Sequence, residues 1–181
     1  MIVFNDIDEI NKILRKEIIL QSGVPANRVR NALSTYGSEL DKLLQNQEYV
    51  GACPCEELIL FELKTRENDA DVSMTEKDET VTFDKSYAFY VIIYGNNSAN
   101  IANAIIARMR TQVLRQTLFE QGIYIEEVKN DTSLNEFKND VMWHRHDFEI
   151  LISCQLSIAQ LSPSNAFESI NPVQIILKGD K

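Results

Sequence analysis

The alternation of residues 148–158 constrains the fold of this chain more than any other feature. Apolar residues stand at every second position, and most positions between them are polar or acidic: Phe148, Ile150, Ile152, Cys154, Leu156 and Ile158. Side chains of a β-strand point alternately to its two faces, so this run predicts a strand with one face in a core and one face in water. A shift of one residue would bury the acids, and the register is therefore tightly constrained.

Further strands are predicted wherever short apolar runs are bounded by polar or turn-forming residues. They cover residues 57–64, 81–94, 123–128 and 173–177. Two polar stretches lie between them. The acidic stretch 67–80 is predicted to be an exposed loop or a long hairpin, and the stretch 129–140 is predicted to be a loop.

One long helix is predicted over about 98–121. Its apolar residues recur at helical spacing, Asn97 or Ser98 can cap its first turn, and Gly122 supplies the left-handed residue that often ends a helix. The unit 87–161 therefore has the order strand, helix, strand and strand.

The N-terminal part of the chain is predicted to be helical over about 5–46. An amphipathic helix spans 5–21, and a second helical stretch starts at Pro25. With the sheet-and-helix core at about 57–178, we expect one α/β domain over 1–181. The fold class is α+β, with a mainly antiparallel mixed β-sheet flanked by the long helix and the N-terminal helices.

Composition and charge exclude several classes of protein. The chain is 44% hydrophobic and 25% charged, as ordinary globular domains are. No apolar run is long enough to span a bilayer, and the N-terminus lacks the pattern of a signal peptide, so we expect a cytoplasmic protein without a membrane partner. Lys and Arg total 18 against 27 Asp and Glu, a net charge of −9, which argues against a protein that grips nucleic acid.

Candidate catalytic or metal-binding residues are few. His144 and His146 are the only histidines, and a small enzyme or metal-binding domain centred on them is the alternative function. A catalytic zinc generally needs three protein ligands, and no third ligand recurs near them. Cys53 and Cys55 are too close in sequence for a zinc knuckle and are interpreted as free thiols, with a redox pair as the alternative. We therefore predict no catalytic activity, no metal and no cofactor.

Three residues are candidates for contacts between subunits. Arg108 and Arg115 lie seven positions apart on the predicted helix and would share one side of it, either as a solvated flank or as partners of an acidic neighbouring subunit. Trp143, the only tryptophan, could anchor an interface or pack in the core.

A longer pattern resembles the neck-terminator and tail-terminator-like proteins of tailed bacteriophages. A strand ends in the aromatic–glycine step Tyr94-Gly95, a helix with small and apolar residues and arginine follows, and the next segment begins Gly122-Ile123. A long strand then opens with an aromatic residue, a basic residue and acids, which are Trp143, Arg145, Asp147 and Glu149. The resemblance covers about 86–160 and adds Arg145 to the interface candidates.

This resemblance implies a structural virion protein rather than an enzyme. Such proteins form a ring, expected to be a hexamer, that caps the tail tube and joins it to the head connector, and they carry no cofactor. The implied partners are copies of the chain itself, the tail tube protein, the connector or neck proteins, and genomic DNA that passes through the lumen without specific binding. The implied location is the neck of the virion, after assembly in the host cytoplasm. A head-completion or neck adaptor protein is the alternative.

Overall fold

The computed structural model describes residues 2–32, 49–50, 53–54, 57–66, 74–77, 80–138 and 141–159. In these residues it contains ten strands, three α-helices and one turn of 3₁₀-helix. They are β1 Val3–Phe4, α1 Ile7–Ser22, the 3₁₀ turn Ala26–Arg28, β2 Val29–Asn31, β3 Tyr49–Val50, β4 Cys53–Pro54, β5 Leu58–Thr65, β6 Met74–Lys77, β7 Thr80–Tyr94, α2 Ser98–Met109, α3 Gln112–Glu120, β8 Ile123–Val128, β9 Thr132–Lys138 and β10 Val141–Ala159.

The sheet is organised around β10, which is 19 residues long. One edge of β10 pairs with β7 in antiparallel register, from Arg145 opposite Tyr94 to Ala159 opposite Thr80. Its other edge pairs in turn with β9, β8 and β1, while β5 and β6 extend the sheet beyond β7. Among the described strands, only β1 with β10 and β2 with β5 are parallel. The predicted α+β class with a mainly antiparallel mixed sheet is confirmed.

The main core lies between the helices and one face of the sheet, which we call the helical face. The alternate residues of β10 that were predicted to be buried from Phe148 to Cys154 lie in this core, and those of β7 join them. These residues are Phe148, Ile150, Ile152, Cys154, Tyr87, Phe89, Val91 and Ile93. The predicted register of β10 is therefore the observed one.

The opposite face, which we call the second face, carries a smaller apolar cluster. Its buried members are Ala32, Leu58, Leu60, Tyr94 and Trp143. The rings of Tyr94 and Trp143 meet edge to face at 6.1 Å, an arrangement that aromatic pairs prefer.

Helix α1 forms where the sequence predicts it. The Asp6 side chain accepts a hydrogen bond from the Asp8 backbone N–H, and Gly23 ends the helix at φ 69°. Ile10, Leu14 and Ile18 recur at helical spacing and are fully buried in the main core, which fixes α1 against the sheet.

The helical segment predicted over 98–121 is present, but it is two helices rather than one. Thr111 has extended backbone angles (φ −70°, ψ 142°), and its hydroxyl accepts a hydrogen bond from the Leu114 N–H as the N-cap of α3. A threonine hydroxyl can accept a hydrogen bond from a free amide at a helix start, which lowers the free-energy cost of the break between α2 and α3.

Two other predictions are corrected. The stretch 129–140 is not only a loop, because it contains β9, which pairs with the first part of β10. The helical stretch predicted after Pro25 is a single 3₁₀ turn followed by β2, whose β-branched Val29 is fully buried beside β5. Within the acidic stretch 67–80, β6 pairs with β7, which agrees with the predicted long hairpin.

Several predictions lie outside the described residues. These are the helical continuation over 33–46, the thiols of Cys53 and Cys55, and the strand 173–177. Among the residues that the structure does describe, no helix has both the length and the apolar character needed to cross a membrane.

Candidate functional site

A hairpin of β9 and the start of β10 projects past the end of β7, and we call it the arm (132–138 and 141–147). Strand β7 ends at Tyr94, opposite Arg145, so the pairing of Trp143 and Met142 is with β9. Phe137 and Met142 face each other across the arm and are 67% and 38% exposed. A cross-strand pair of exposed apolar side chains is a typical component of a contact surface.

Arg145 links the two strands of the arm to β7. Its guanidinium donates two hydrogen bonds to the Asp147 carboxylate (2.8 and 2.6 Å) and one to Glu136 (3.1 Å). It also lies 5.7 Å from the centre of the Tyr94 ring, and the Tyr94 hydroxyl donates to Glu136 at 3.0 Å. The hydrogen bond to Asp147 is the main reason why the pKa of Arg145 is raised, and burial raises the pKa of Tyr94. Arg145 therefore connects the two strands of the arm with each other and with the end of β7.

Trp143 lies at the base of the arm. Only 1% of its surface is exposed, and it packs in the small cluster of the second face. Of the two roles considered for Trp143, an interface anchor and a packed side chain, the structure of the single chain shows packing.

The two histidines also lie in the arm, each beside a residue of β9 or of the loop before it. His144 Nδ1 is 2.9 Å from Asn135 Oδ1, and His146 Nδ1 is 2.9 Å from Asp131 Oδ2. No group of three potential metal ligands occurs among the described residues. The side-chain contacts of His144 and His146 thus join β10 to β9 and to Asp131 just before it. No third metal ligand accompanies them among the described residues.

A groove of about 310 Å³ lies between α3 and the edge strand β8, and we call it the groove. Two aromatic side chains border it, Phe119 at 54% exposure and Tyr124 at 55%. Arg115 lies in it and donates to the backbone carbonyls of Ile125 (3.1 Å) and Glu126 (3.4 Å). Arginine and aromatic residues are enriched in protein interfaces, so the groove has a composition that is common there.

The break between α2 and α3 changes how the arginines are arranged. Arg108 is exposed at the end of α2, while Arg115 belongs to α3 and is tied to β8. The shared helix side predicted for them assumed a continuous helix. Arg110, which lies between α2 and α3, donates hydrogen bonds to Val128 O and Asn130 Oδ1, both at 2.8 Å.

The second face of the sheet carries a row of charges that are mostly paired. Lys64 contacts Glu62 at 2.9 Å, and Lys129 contacts Glu149 at 2.8 Å. The Glu149 carboxylate accepts a hydrogen bond from Lys129 and raises its pKa. Both lysines are exposed while Glu62 is buried, and pairs that are partly open to solvent contribute little stability.

The comparison with protein-family models decides which family this chain belongs to. A model described as phage neck terminator protein matches residues 29–180. The chain belongs to the phage neck terminator protein family. No curated protein matches the chain at a significant level.

Family membership confirms the resemblance and extends it beyond residues 86–160. The match begins at Val29, the first residue of β2, and includes β5, β7, α2, α3, β8, β9 and β10. The chain is accordingly a structural bacteriophage protein of the tail and neck, of the terminator type.

The exposed aromatic residues of the two surfaces were missed by sequence reasoning. Phe137 lies in a stretch predicted to be a loop. Tyr124 lies on the strand predicted at 123–128, and Phe119 lies on α3, the second of the two helices that replace the single helix predicted over 98–121. Phe119 is five positions after Leu114 and one after Leu118, both buried, so helical rotation turns it away from the core. That spacing was the available signal for an outward-facing phenylalanine.

Proposed function

We propose that this neck terminator forms a closed hexameric ring that caps the tail tube and joins it to the head connector. The observation that carries this proposal is the family match over 29–180, which includes nearly the whole described sheet and the helices α2 and α3. The exposed arm and groove support an assembly role, because large apolar side chains clustered on a surface commonly mark contacts with other proteins.

The proposed partners are other copies of the chain, the tail tube protein and the head connector. A catalytic role is not part of the proposal. The polar groups of the arm are engaged in pairing the strands, and the described residues hold no cluster of metal ligands.

We also propose that genomic DNA passes through the ring without sticking to it. Six copies at −9 each carry a net charge of −54. An acidic channel repels the phosphates of DNA, because contact between negative charges on the channel wall and on the DNA raises the free energy. A channel lined by lysine and arginine in an assembled ring would contradict this part of the proposal.

Loss of the chain from an infecting phage tests the function. A stop codon placed early in the gene should give filled heads that do not join tails, together with tails of uncontrolled length. The wild-type chain supplied from a plasmid should restore joined particles. Joined, infectious particles of normal tail length in the absence of the chain would contradict the proposal. Heads that lose their DNA beside tails of normal length would instead identify a head-completion protein.

A further inference from the structure

We propose that residues 173–177 of one copy pair as a strand with the open edge of β9 on the next copy. This inference rests on the proposed ring and specifies how its subunits contact one another. An extended segment can join a second chain by adding a strand to an exposed sheet edge, where backbone hydrogen bonds supply affinity and side chains supply specificity. A ring joined in this way needs one open edge and one strand-forming segment on each copy.

The arm supplies the open edge. Strand β9 pairs with β10 on one side and has no partner strand on its other side among the described residues. It spans seven residues, Thr132–Lys138, and of the strands that the structure describes it is the longest with one edge wholly unpaired. The free N–H and C=O groups of such an edge are a template for pairing with another chain.

The neighbouring edge strand, β8, is less accessible to an added strand. Arg115 donates hydrogen bonds to the backbone carbonyls of Ile125 and Glu126. Arg110 donates another to Val128 O. A strand added to β8 would have to displace these arginines, because backbone pairing uses the carbonyls of the edge as acceptors. Strand β9 is therefore the better candidate for pairing between copies.

Strand β9 also exposes apolar side chains on both of its faces. Phe137 is 67% exposed and lies opposite Met142, which is 38% exposed. Leu134 lies on the other face, opposite Arg145, and is 43% exposed. A strand added to this edge would place its own side chains beside these residues and remove apolar surface from water.

The segment 173–177 matches both faces of β9. It reads Val-Gln-Ile-Ile-Leu, and its β-branched residues favour a strand. Alternation divides the segment into a face of three apolar residues and a face of two residues, which are Val173, Ile175 and Leu177 on the first and Gln174 and Ile176 on the second. The first face can pack beside Phe137 and Met142, and Ile176 can pack beside Leu134.

Charge does not oppose this contact. The segment 173–177 contains no charged residue, and in the arm two acids are balanced by one lysine and one arginine. Pairing of two neutral parts adds nothing to the repulsion between acidic copies. The family match also extends to residue 180 and therefore includes the segment as well as the arm.

The length of chain after β10 favours a neighbouring copy over the same copy. Strand β10 ends at Ala159, twelve residues beyond Asp147, which lies opposite the first residue of β9. This separation is roughly 40 Å, and the edge of β10 between the two points is occupied by β8 and β1. Residues 160–172 would have to stay extended and pass around both strands to reach β9 of their own chain. The end of β10 and the arm lie at opposite ends of the sheet, which suits head-to-tail contacts in a ring.

Chemical crosslinking in particles tests the contact. The phage with the stop codon is complemented by a plasmid that supplies the full chain with Cys53→Ser, Cys55→Ser, Asn135→Cys and Ile175→Cys. A short bismaleimide applied to purified particles should give a ladder of covalent oligomers that ends at the copy number of the ring. Asn135 is exposed on β9, whereas the remaining native thiol, Cys154, is buried and should not react.

A matched pair of cysteines provides the control. Leu20 is 62% exposed but belongs to α1, and Leu20→Cys replaces Asn135→Cys in the control chain, which should give no ladder. Joined particles in which the test chain is crosslinked only within single copies would place the segment on its own β9 and overturn this inference. Joined particles without any crosslink, with Leu134→Cys in place of Asn135→Cys giving none either, would also overturn it. Both results would leave the proposed function intact.

A proline in the segment gives a second readout. Proline has no N–H to donate to a sheet, so Ile175→Pro should lower the yield of joined particles roughly tenfold or more. Ile175→Val keeps a β-branched residue and should leave the yield unchanged. Equal yields from the two variants would count against the contact.

Urea unfolding of the purified monomeric chain separates pairing between copies from pairing within one copy. The midpoint should be the same for the wild type and for Ile175→Pro, because the segment pairs only after assembly. A lower midpoint for Ile175→Pro would show that the segment belongs to the fold of its own copy and would overturn the inference. Failure of even the wild-type plasmid to restore joining would instead contradict the proposed function.

Discussion

At the scale of single residues, Arg145 connects more elements than its position on an edge hairpin suggests. Its fork of donors binds Asp147 on its own strand and Glu136 on β9, and its charge lies over the Tyr94 ring of β7. Bidentate pairing of this kind is specific to the planar guanidinium, and a lysine ammonium cannot reproduce it.

Arg145→Met should destabilise the fold by about 1 to 2 kcal/mol, because it removes three hydrogen bonds and leaves two carboxylates close together without their cation. The side chain is partly exposed, so solvent screening limits the loss. Urea unfolding measures the change as a lower midpoint at constant slope.

Lys129→Met is the control for that substitution. It also removes an ion pair to a carboxylate, that of Glu149, but on an exposed side chain, so its effect should be much smaller. Equal midpoints for the two variants would show that Arg145 does not hold the arm.

Cys154 should be unreactive while the protein is folded. Burial raises the pKa of its thiol to about 12, and the nearby Asp84 carboxylate adds to the effect. At pH 8 the folded protein then contains almost no thiolate at this position, and the thiolate is the reactive form. In a chain with Cys53→Ser and Cys55→Ser, alkylation should be roughly a thousandfold slower in buffer than in urea. Similar rates in both solutions would show that the thiol is accessible.

At the scale of elements, the sequence predicts best the strands and helices whose two sides differ. Strand β10 and helix α1 each have one apolar side, and both are observed where they were predicted. Strand β9 was missed because all of its residues from Thr132 to Phe137 are at least partly exposed, so alternation leaves no pattern in them. The signal that remained is Asn139-Asp140, a pair of turn-forming residues that stands between β9 and β10 in the sequence.

The surroundings of the four interface candidates could not be predicted, for a related reason. Arg115 lies in the groove, Trp143 and Arg145 lie in the arm, and Arg108 is exposed at the end of α2. Their contacts depend on how the elements pair in the fold. Arg145 and Glu136 are close because β9 pairs with β10. The contact of Arg115 with β8 depends on the direction that α3 takes after the break at Thr111. Helical spacing indicates that Phe119 faces outward, whereas Phe137 lies in a stretch without a pattern, so the structure was needed to identify its exposure.

Gly122 connects the end of α3 with β8 and allows β1 to pack closely. Its φ of 86° is the left-handed conformation, and a Cβ there would lie 2.9 Å from the backbone oxygen of Ile2. Gly122→Ala should therefore cost about 2 kcal/mol or more, since backbone strain and a steric clash add together.

Gly23 is the matched control, because its φ is 69° and a Cβ added there would have no atom within 4 Å among the described residues. Gly23→Ala should cost only the strain of the left-handed backbone, about 1 kcal/mol. Thermal or urea unfolding of both variants gives the comparison, and a larger loss for Gly23→Ala would contradict the close approach of β1.

At the scale of the whole molecule, the chain is acidic but contains one basic helical segment. The helical segment 98–119 has a net charge of +3, whereas the chain has −9. Copies that each carry −9 repel one another, so assembly into the proposed ring requires contacts that outweigh this repulsion. The repulsion is screened by salt, and we therefore expect assembly to be favoured at higher ionic strength.

A cryo-EM map of the neck of the assembled phage tests the central claim most directly. We predict a closed ring of six copies of this chain between the tail tube and the head connector, with an acidic channel. A neck in which the chain is absent, or in which it does not form a closed ring, would contradict the account.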